Sequence, residues 1–92
     1  MELELTSLIW DEFNITHITK HGVSVEEVEA ACRNQLHVLT SYNNRQMLFG
    51  VTNKSRYLTI ILEKNYSNHY YVVTARDISR KERKYVHDQV NQ

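Results

Sequence analysis

Arg76, Ser79, Glu82 and Tyr85 put the densest chemistry of this 92-residue chain into one short stretch. An arginine carries a planar fork of N–H donors that can grip two oxygens of a phosphate at once. Ser79-Arg80-Lys81-Glu82 has the form of a capping box, so Arg76 would stand just ahead of a helix N-terminus, which itself favours anions. Arg76 is thus a candidate phosphate ligand, and the alternative is an ion pair with Glu82. Arg80, Lys81, Arg83 and Lys84 crowd the first half of the same helix with positive charge. That placement opposes the helix dipole and would suit a polyanion or an acidic partner, or else a solvated face. Glu82 and Tyr85 are three apart and share a helix face. Glu82 first serves as the reciprocal cap, and Tyr85 is either a core-edge ring or a base-stacking one.

Earlier in the chain, His21 follows Lys20 and precedes Gly22 at an expected helix end. Histidine changes charge near neutrality and can act as base or acid, or it can satisfy the last carbonyls of the helix. Lys20 is a second candidate phosphate contact. Arg45 opens a strand that ends at Gly50; if it faces Arg76 the two form a clamp, and otherwise it is a strand charge that resists edge pairing. The sequence contains no CxxC, no close group of carboxylates, no Gly-rich phosphate loop and no Gly-x-Ser-x-Gly elbow. No metal and no cofactor is expected.

The elements that must position these residues can be read from the pattern. Leu3, Leu5, Leu8 and Ile9 suggest a first strand over residues 2–9, with Trp10 as a core anchor. Asp11 is a fair N-cap for a helix over 12–20, and Gly22 fits the left-handed position just past it. Ser24-Val25-Glu26-Glu27 is another capping box. It opens a helix with Val25, Val28, Ala31 and Cys32 on one face. From Leu36 the period changes to two, through Val38 and Thr40. Turns follow at Tyr42-Asn43-Asn44, Asn53-Lys54-Ser55 and Asn65–Asn68. Between them lie strands over 45–52, 57–62 (apolar on both faces, hence central) and 69–75. Short turns between consecutive strands mean an antiparallel meander. A last helix covers 80–90. The expected order is β-α-α-β-β-β-β-α, an α+β fold with two N-terminal helices and one C-terminal helix packed on the sheet.

Ninety-two residues make one domain, and one this short is marginal alone. One cysteine, Cys32, excludes a disulfide framework and reads as a buried thiol in a reducing compartment. No run approaches the roughly 18 apolar residues of a membrane span. The acidic N-terminus is unlike a signal peptide, so a cytoplasmic location is expected. Net charge is zero, but residues 1–31 hold seven acids and one base, and residues 32–92 hold ten bases and four acids. The split fits a basic face for a polyanion or acidic partner, or attraction between the halves within the fold.

Three segments, in order over residues 8–87, resemble the BrnT family of toxins. The first is Trp10-Asp11 with Lys20-His21-Gly22-Val23 and Glu26-Glu27. The second is Arg45 with Gly50. The third is Thr74-Ala75-Arg76 with Ser79, Glu82-Arg83 and Tyr85. His17 and Ile78 depart from the family pattern, which marks a divergent branch. The resemblance implies a RelE-like fold and the toxin of a type II toxin–antitoxin pair. It implies a ribonuclease that inhibits translation, acting on RNA, free or on the ribosome. It also implies a cognate antitoxin through which the complex would reach operator DNA. Metal-free RNA cleavage would take His21, Arg76 and Glu82 as the catalytic candidates, with Lys20, Arg45, Arg80, Arg83 and Tyr85 toward the substrate. A competing reading is a non-catalytic RNA- or protein-binding module of the same fold. A third is a homodimer joined through the strand at Tyr70–Tyr71.

Overall fold

The structure is a computed structural model that describes residues 3–5, 7–41 and 43–91. Its elements are β1 (Ser7–Ile9), α1 (Glu12–Lys20), α2 (Val25–Arg33), β2 (Gln35–Thr40), β3 (Arg45–Val51), β4 (Tyr57–Tyr66), β5 (His69–Asp77) and α3 (Arg80–Val90). The expected order is therefore the observed one. The five strands form one sheet in the order β1-β5-β4-β3-β2.

All three helix starts are capping boxes. Asp11, Ser24 and Ser79 each accept from the backbone N–H three residues on, and Asn14, Glu27 and Glu82 reach back. Each reciprocal pair satisfies two backbone donors that a helix start would otherwise leave open. Gly22 lies just past α1 at φ +70°, a conformation that a side chain would strain.

β2 to β5 form the antiparallel meander. β1 differs from the antiparallel expectation: it pairs in parallel with β5, Leu8 opposite Tyr70, so the sheet is mixed. It is also shorter than residues 2–9. The backbone of Leu3 is held by the side-chain amide of Gln35, which donates to its carbonyl and accepts from its N–H, instead of by a neighbouring strand. Residues 1, 2 and 6 of that expected strand, and Tyr42 of the first turn, lie outside the described residues. β4 runs on to Tyr66, past the expected Leu62, because Ser67 and Asn68 alone make the turn, both at positive φ.

Successive residues of a strand face opposite sides of a sheet. Gly50 faces α2, and a Cβ there would fall on the Ala31 carbonyl, so only glycine lets the helix lie this close. Its neighbour Phe49 faces the other way and meets Tyr85 of α3. The helices therefore sandwich the sheet, α1 and α2 on one side and α3 on the other. The α1/α2 side holds the core, with Ile18, Val28, Ala31, Leu48, Leu58, Ile60, Leu62, Val72 and Ala75 buried together. Each large apolar side chain buried here contributes about 1.5–3 kcal/mol. Trp10 packs against this core and donates to Glu29, as an anchor should. Cys32 is buried within it, and burial pushes its thiol up to about 12, which leaves it protonated. Tyr70 is in the same core and the Tyr71 hydroxyl donates to Asp11, while β5 has a neighbour on each edge. The Tyr70–Tyr71 strand therefore offers no dimer edge.

Candidate functional site

One cross-strand row runs under α3. The register sets His37 opposite Phe49, Phe49 opposite Thr59, and Thr59 opposite Arg76. A bulge at Leu36 turns His37 onto this side. Two of the four, Phe49 and Thr59, are fully covered, while His37 and Arg76 at the ends stay partly open.

Above the Arg76 end sits Glu82. Arg76 Nη1 and Nη2 donate to Glu82 Oε1 and Oε2, both at 2.8 Å. Thr59 Oγ1 and the Ser79 N–H also donate to Oε1, each at 2.9 Å. This carboxylate accepts four hydrogen bonds. The Arg76 guanidinium foremost holds its pKa down to about 2, against an ordinary 4.5. Glu82 is ionised at neutral pH and a poor base there; its geometry suits it to hold Arg76.

Arginine has two bidentate edges. The Glu82 pair uses the end formed by Nη1 and Nη2, and the outer N–H of Nη1 turns to the Asp77 carbonyl at 3.3 Å. The side edge, formed by Nε and the outer N–H of Nη2, makes no hydrogen bond among the described residues. The side chain is 38% exposed and its unbonded Nε is not buried, so this edge meets solvent. Of the two alternatives for Arg76, the ion pair with Glu82 is the one formed.

One turn along α3, Tyr85 covers the other end of the row. Its hydroxyl lies 3.4 Å from His37 Nε2, and its ring stands edge-on to His37 and tilted against Phe49. Arg83 lies over the Tyr57 ring at 4.3 Å, an arrangement in which the ring face attracts the cation. Arg80, Lys81 and Lys84 are exposed.

The remaining sequence candidates lie apart. Arg45 pairs across strands with Glu63, its Nε 3.5 Å from Oε2. Glu63 is four residues along β4 from Thr59, so Arg45 is about 13 Å from the Arg76 row and forms no clamp with it. Lys20 and His21 end α1, on the opposite side of the sheet, where the His21 N–H caps the helix. Their turn still reaches the same end of the molecule. Arg56 Nη1 donates to the Gly22 carbonyl at 2.8 Å and to Glu27, and its Nε donates to Asp77 Oδ1 at 2.7 Å. These bonds raise the pKa of Arg56, that to Asp77 most. His21 also pairs edge-on with His17, four residues before it, at 5.3 Å between rings. That is a His-x-x-x-His spacing, against the expectation that the histidines show no metal spacing. No group of three potential metal ligands occurs among the described residues.

Sequence reasoning missed His37, Thr59 and Arg56. A lone threonine inside the apolar run of β4 was the available signal for Thr59. His37 showed only as a polar member of an alternating strand, and the bulge that orients it left no mark in the pattern.

The chain is an α+β sandwich with a cationic helix over an arginine-bearing sheet end. No family model matches the chain, and no curated protein matches it. Among solved structures, it is similar to the ribonuclease toxin BrnT of Brucella abortus. The two are 26% identical, with a TM-score of 0.60, over 80% of this chain and 97% of that one. The fold is thus similar to that of this toxin.

Proposed function

We propose that this protein is the toxin of a type II toxin–antitoxin pair, a cytoplasmic endoribonuclease that needs no metal and inhibits translation. The open side edge of Arg76 carries the reading. Glu82 fixes the guanidinium from one end and leaves a preorganised fork for a phosphate at the positive start of α3. Such a fork, set before the reaction begins, offsets the charge that grows on phosphorus as a 2′-hydroxyl attacks. Arg80 and Arg83 on α3 add cations for the flanking phosphates, and Lys20 with His21 extends the contact surface at the same end of the molecule. The likeness to a ribonuclease toxin supports the same reading. The acidic antitoxin segment expected from the charge split would cover α3. No helix among the described residues is long and apolar enough to cross a membrane.

A second reading, RNA binding without cleavage, is favoured by the state of Glu82, which is ionised and a poor base at neutral pH. Inducible expression separates the two. Wild type should arrest growth and leave new 5′-hydroxyl RNA ends, and Arg76→Ala should do neither. Undiminished arrest in Arg76→Ala would remove Arg76 from the site. Arrest by wild type without new ends would leave the binding module.

A further inference from the structure

We propose that α1 carries a surface site for a divalent transition-metal ion, with the imidazoles of His17 and His21 as its protein ligands. The chain has five histidines, and these two differ from the rest. Ring nitrogens of His37, His69 and His87 lie within hydrogen-bond distance of Tyr85, Ser7 and Asn91. The rings of His17 and His21 make no hydrogen bond among the described residues and meet each other instead, 5.3 Å between centroids. Both residues are exposed. Four apart, they share one face of α1, about 5–6 Å between their Cβ atoms. The helix is held from behind, since Asn14 and Ile18 are buried and the Asp11–Asn14 box fixes its start. The bond from the His21 N–H to the Ile18 carbonyl keeps His21 in the last turn. The spacing of the pair is therefore set before an ion arrives. His17 departs from the BrnT pattern, so the pair belongs to this chain and not to the fold.

Two imidazoles one helical turn apart can close on one ion, each giving a ring-nitrogen lone pair at about 2.0–2.1 Å from zinc. The rings now stand edge-on at 68°, and both are free to turn their nitrogens to a common point. Imidazole suits zinc, nickel and copper, whereas magnesium and calcium take oxygen ligands. No third potential ligand joins the pair among the described residues, so water completes the coordination. Glu12 and Lys20 line the same groove as His17 with opposite charges, and neither sign dominates it. The site lies across the sheet from the Arg76 row and takes no part in the cleavage proposed there. Its effect falls on the end of α1, where the Gly22 carbonyl is tied to Arg56. Only the helix brings the two imidazoles together, so the ion favours the folded chain over the unfolded one.

The test titrates zinc chloride into chelator-stripped protein in a calorimeter, then melts the protein with and without the metal. Wild type should take up one ion per chain, and zinc at about 100 times its Kd should raise the melting temperature by about 10 °C. Magnesium chloride should give no such rise. His17→Gln and His21→Gln should each weaken zinc binding about tenfold or more, since losing a ligand costs at least as much as losing its support. Without metal, each should melt within about 4 °C of wild type, as surface substitutions do. His69→Gln and His87→Gln should bind zinc as wild type does. Equal weakening in all four variants would mean scattered contacts with any histidine and would overturn the site. Loss in His17→Gln or His21→Gln alone would leave a single-histidine contact and overturn the chelate. No uptake of zinc or nickel by wild type would overturn it outright. Each readout is independent of RNA cleavage, so the nuclease reading stands or falls separately.

Discussion

The two faces of the sheet are built from different materials. The face under α1 and α2 is apolar and closed, with Leu48, Leu58, Ile60, Leu62 and Val72 fully buried. The face under α3 carries a polar row, Thr59 and Arg76 bonded to Glu82 and His37 near Tyr85. The apolar core lies on the first face and the polar row on the second, and β4 contributes to both. Thr59 and Ile60 are consecutive, both fully buried, and face opposite helices. In so small a chain, a charged site can then vary without opening the core.

The largest effects should test that division on β4 and its neighbour β3. Gly50→Val would drive a side chain into the Ala31 backbone and should leave the protein unfolded. Ile60→Ala opens a cavity in the same face and should lower stability by about 2–5 kcal/mol in a denaturant melt. Thr59→Val, one residue away, should lower it by only about 1 kcal/mol, since it removes one hydrogen bond from Glu82. On the proposed nuclease reading, RNA cleavage should also slow, because Glu82 then holds Arg76 less tightly. Equal stability losses in Thr59→Val and Ile60→Ala would break the comparison.

Acid should sharpen it. The folded pKa of Glu82 lies near 2, below the 4.5 of the unfolded chain, so its contribution to stability is full above 4.5 and is lost as pH falls toward 2. Arg76→Ala should remove about 1 kcal/mol of that contribution, since solvent screens a pair with one half-open partner. The hydrogen bond from Arg56 lowers the pKa of Asp77, and the Ser24 backbone bond foremost, then Arg56, lowers that of Glu27. Arg56→Ala should therefore flatten the acid transition as well, while leaving the Arg76 fork in place. Acid unfolding followed by circular dichroism would show both changes, and RNA cleavage should separate them.

How much of this was legible beforehand differs between the same two faces. Caps and periodicity are local, and they placed all three helices and the four-strand meander. Asp11, Ser24 and Ser79 announced their helices because capping is written within four residues. The parallel docking of β1 was not legible, because Leu8 finds Tyr70 across most of the chain. Of the site, Arg76, Glu82 and Tyr85 could be grouped because they lie on one helix and the strand end before it. His37 and Thr59 reach the same row only through strand register, and that of His37 depends on a bulge that no local pattern marks. The Arg45 clamp failed for the same reason: type and strand were right, but the register sets Arg45 opposite Glu63, two rows away.

The smallest effect makes the sharpest comparison. Ser24 and Ser79 are chemically equivalent caps, each accepting at 3.1 Å from the N–H of the glutamate three residues on. Ser24→Ala and Ser79→Ala should each lower the melting free energy by about 1 kcal/mol. Their consequences for activity should diverge. Glu27, freed from its cap, stays bonded to Arg56, and nothing in the Arg76 row moves. Glu82 keeps Arg76, Thr59 and the Ser79 N–H, but the start of α3 that carries it loosens. The fork on Arg76 is then held less tightly, and a preorganised fork is worth more to the charged transition state than to the ground state. RNA cleavage at matched folded fraction should therefore fall several-fold in Ser79→Ala and remain at wild-type level in Ser24→Ala. Equal rates in the two variants would mean that Glu82 alone, without the helix start behind it, is enough to aim Arg76.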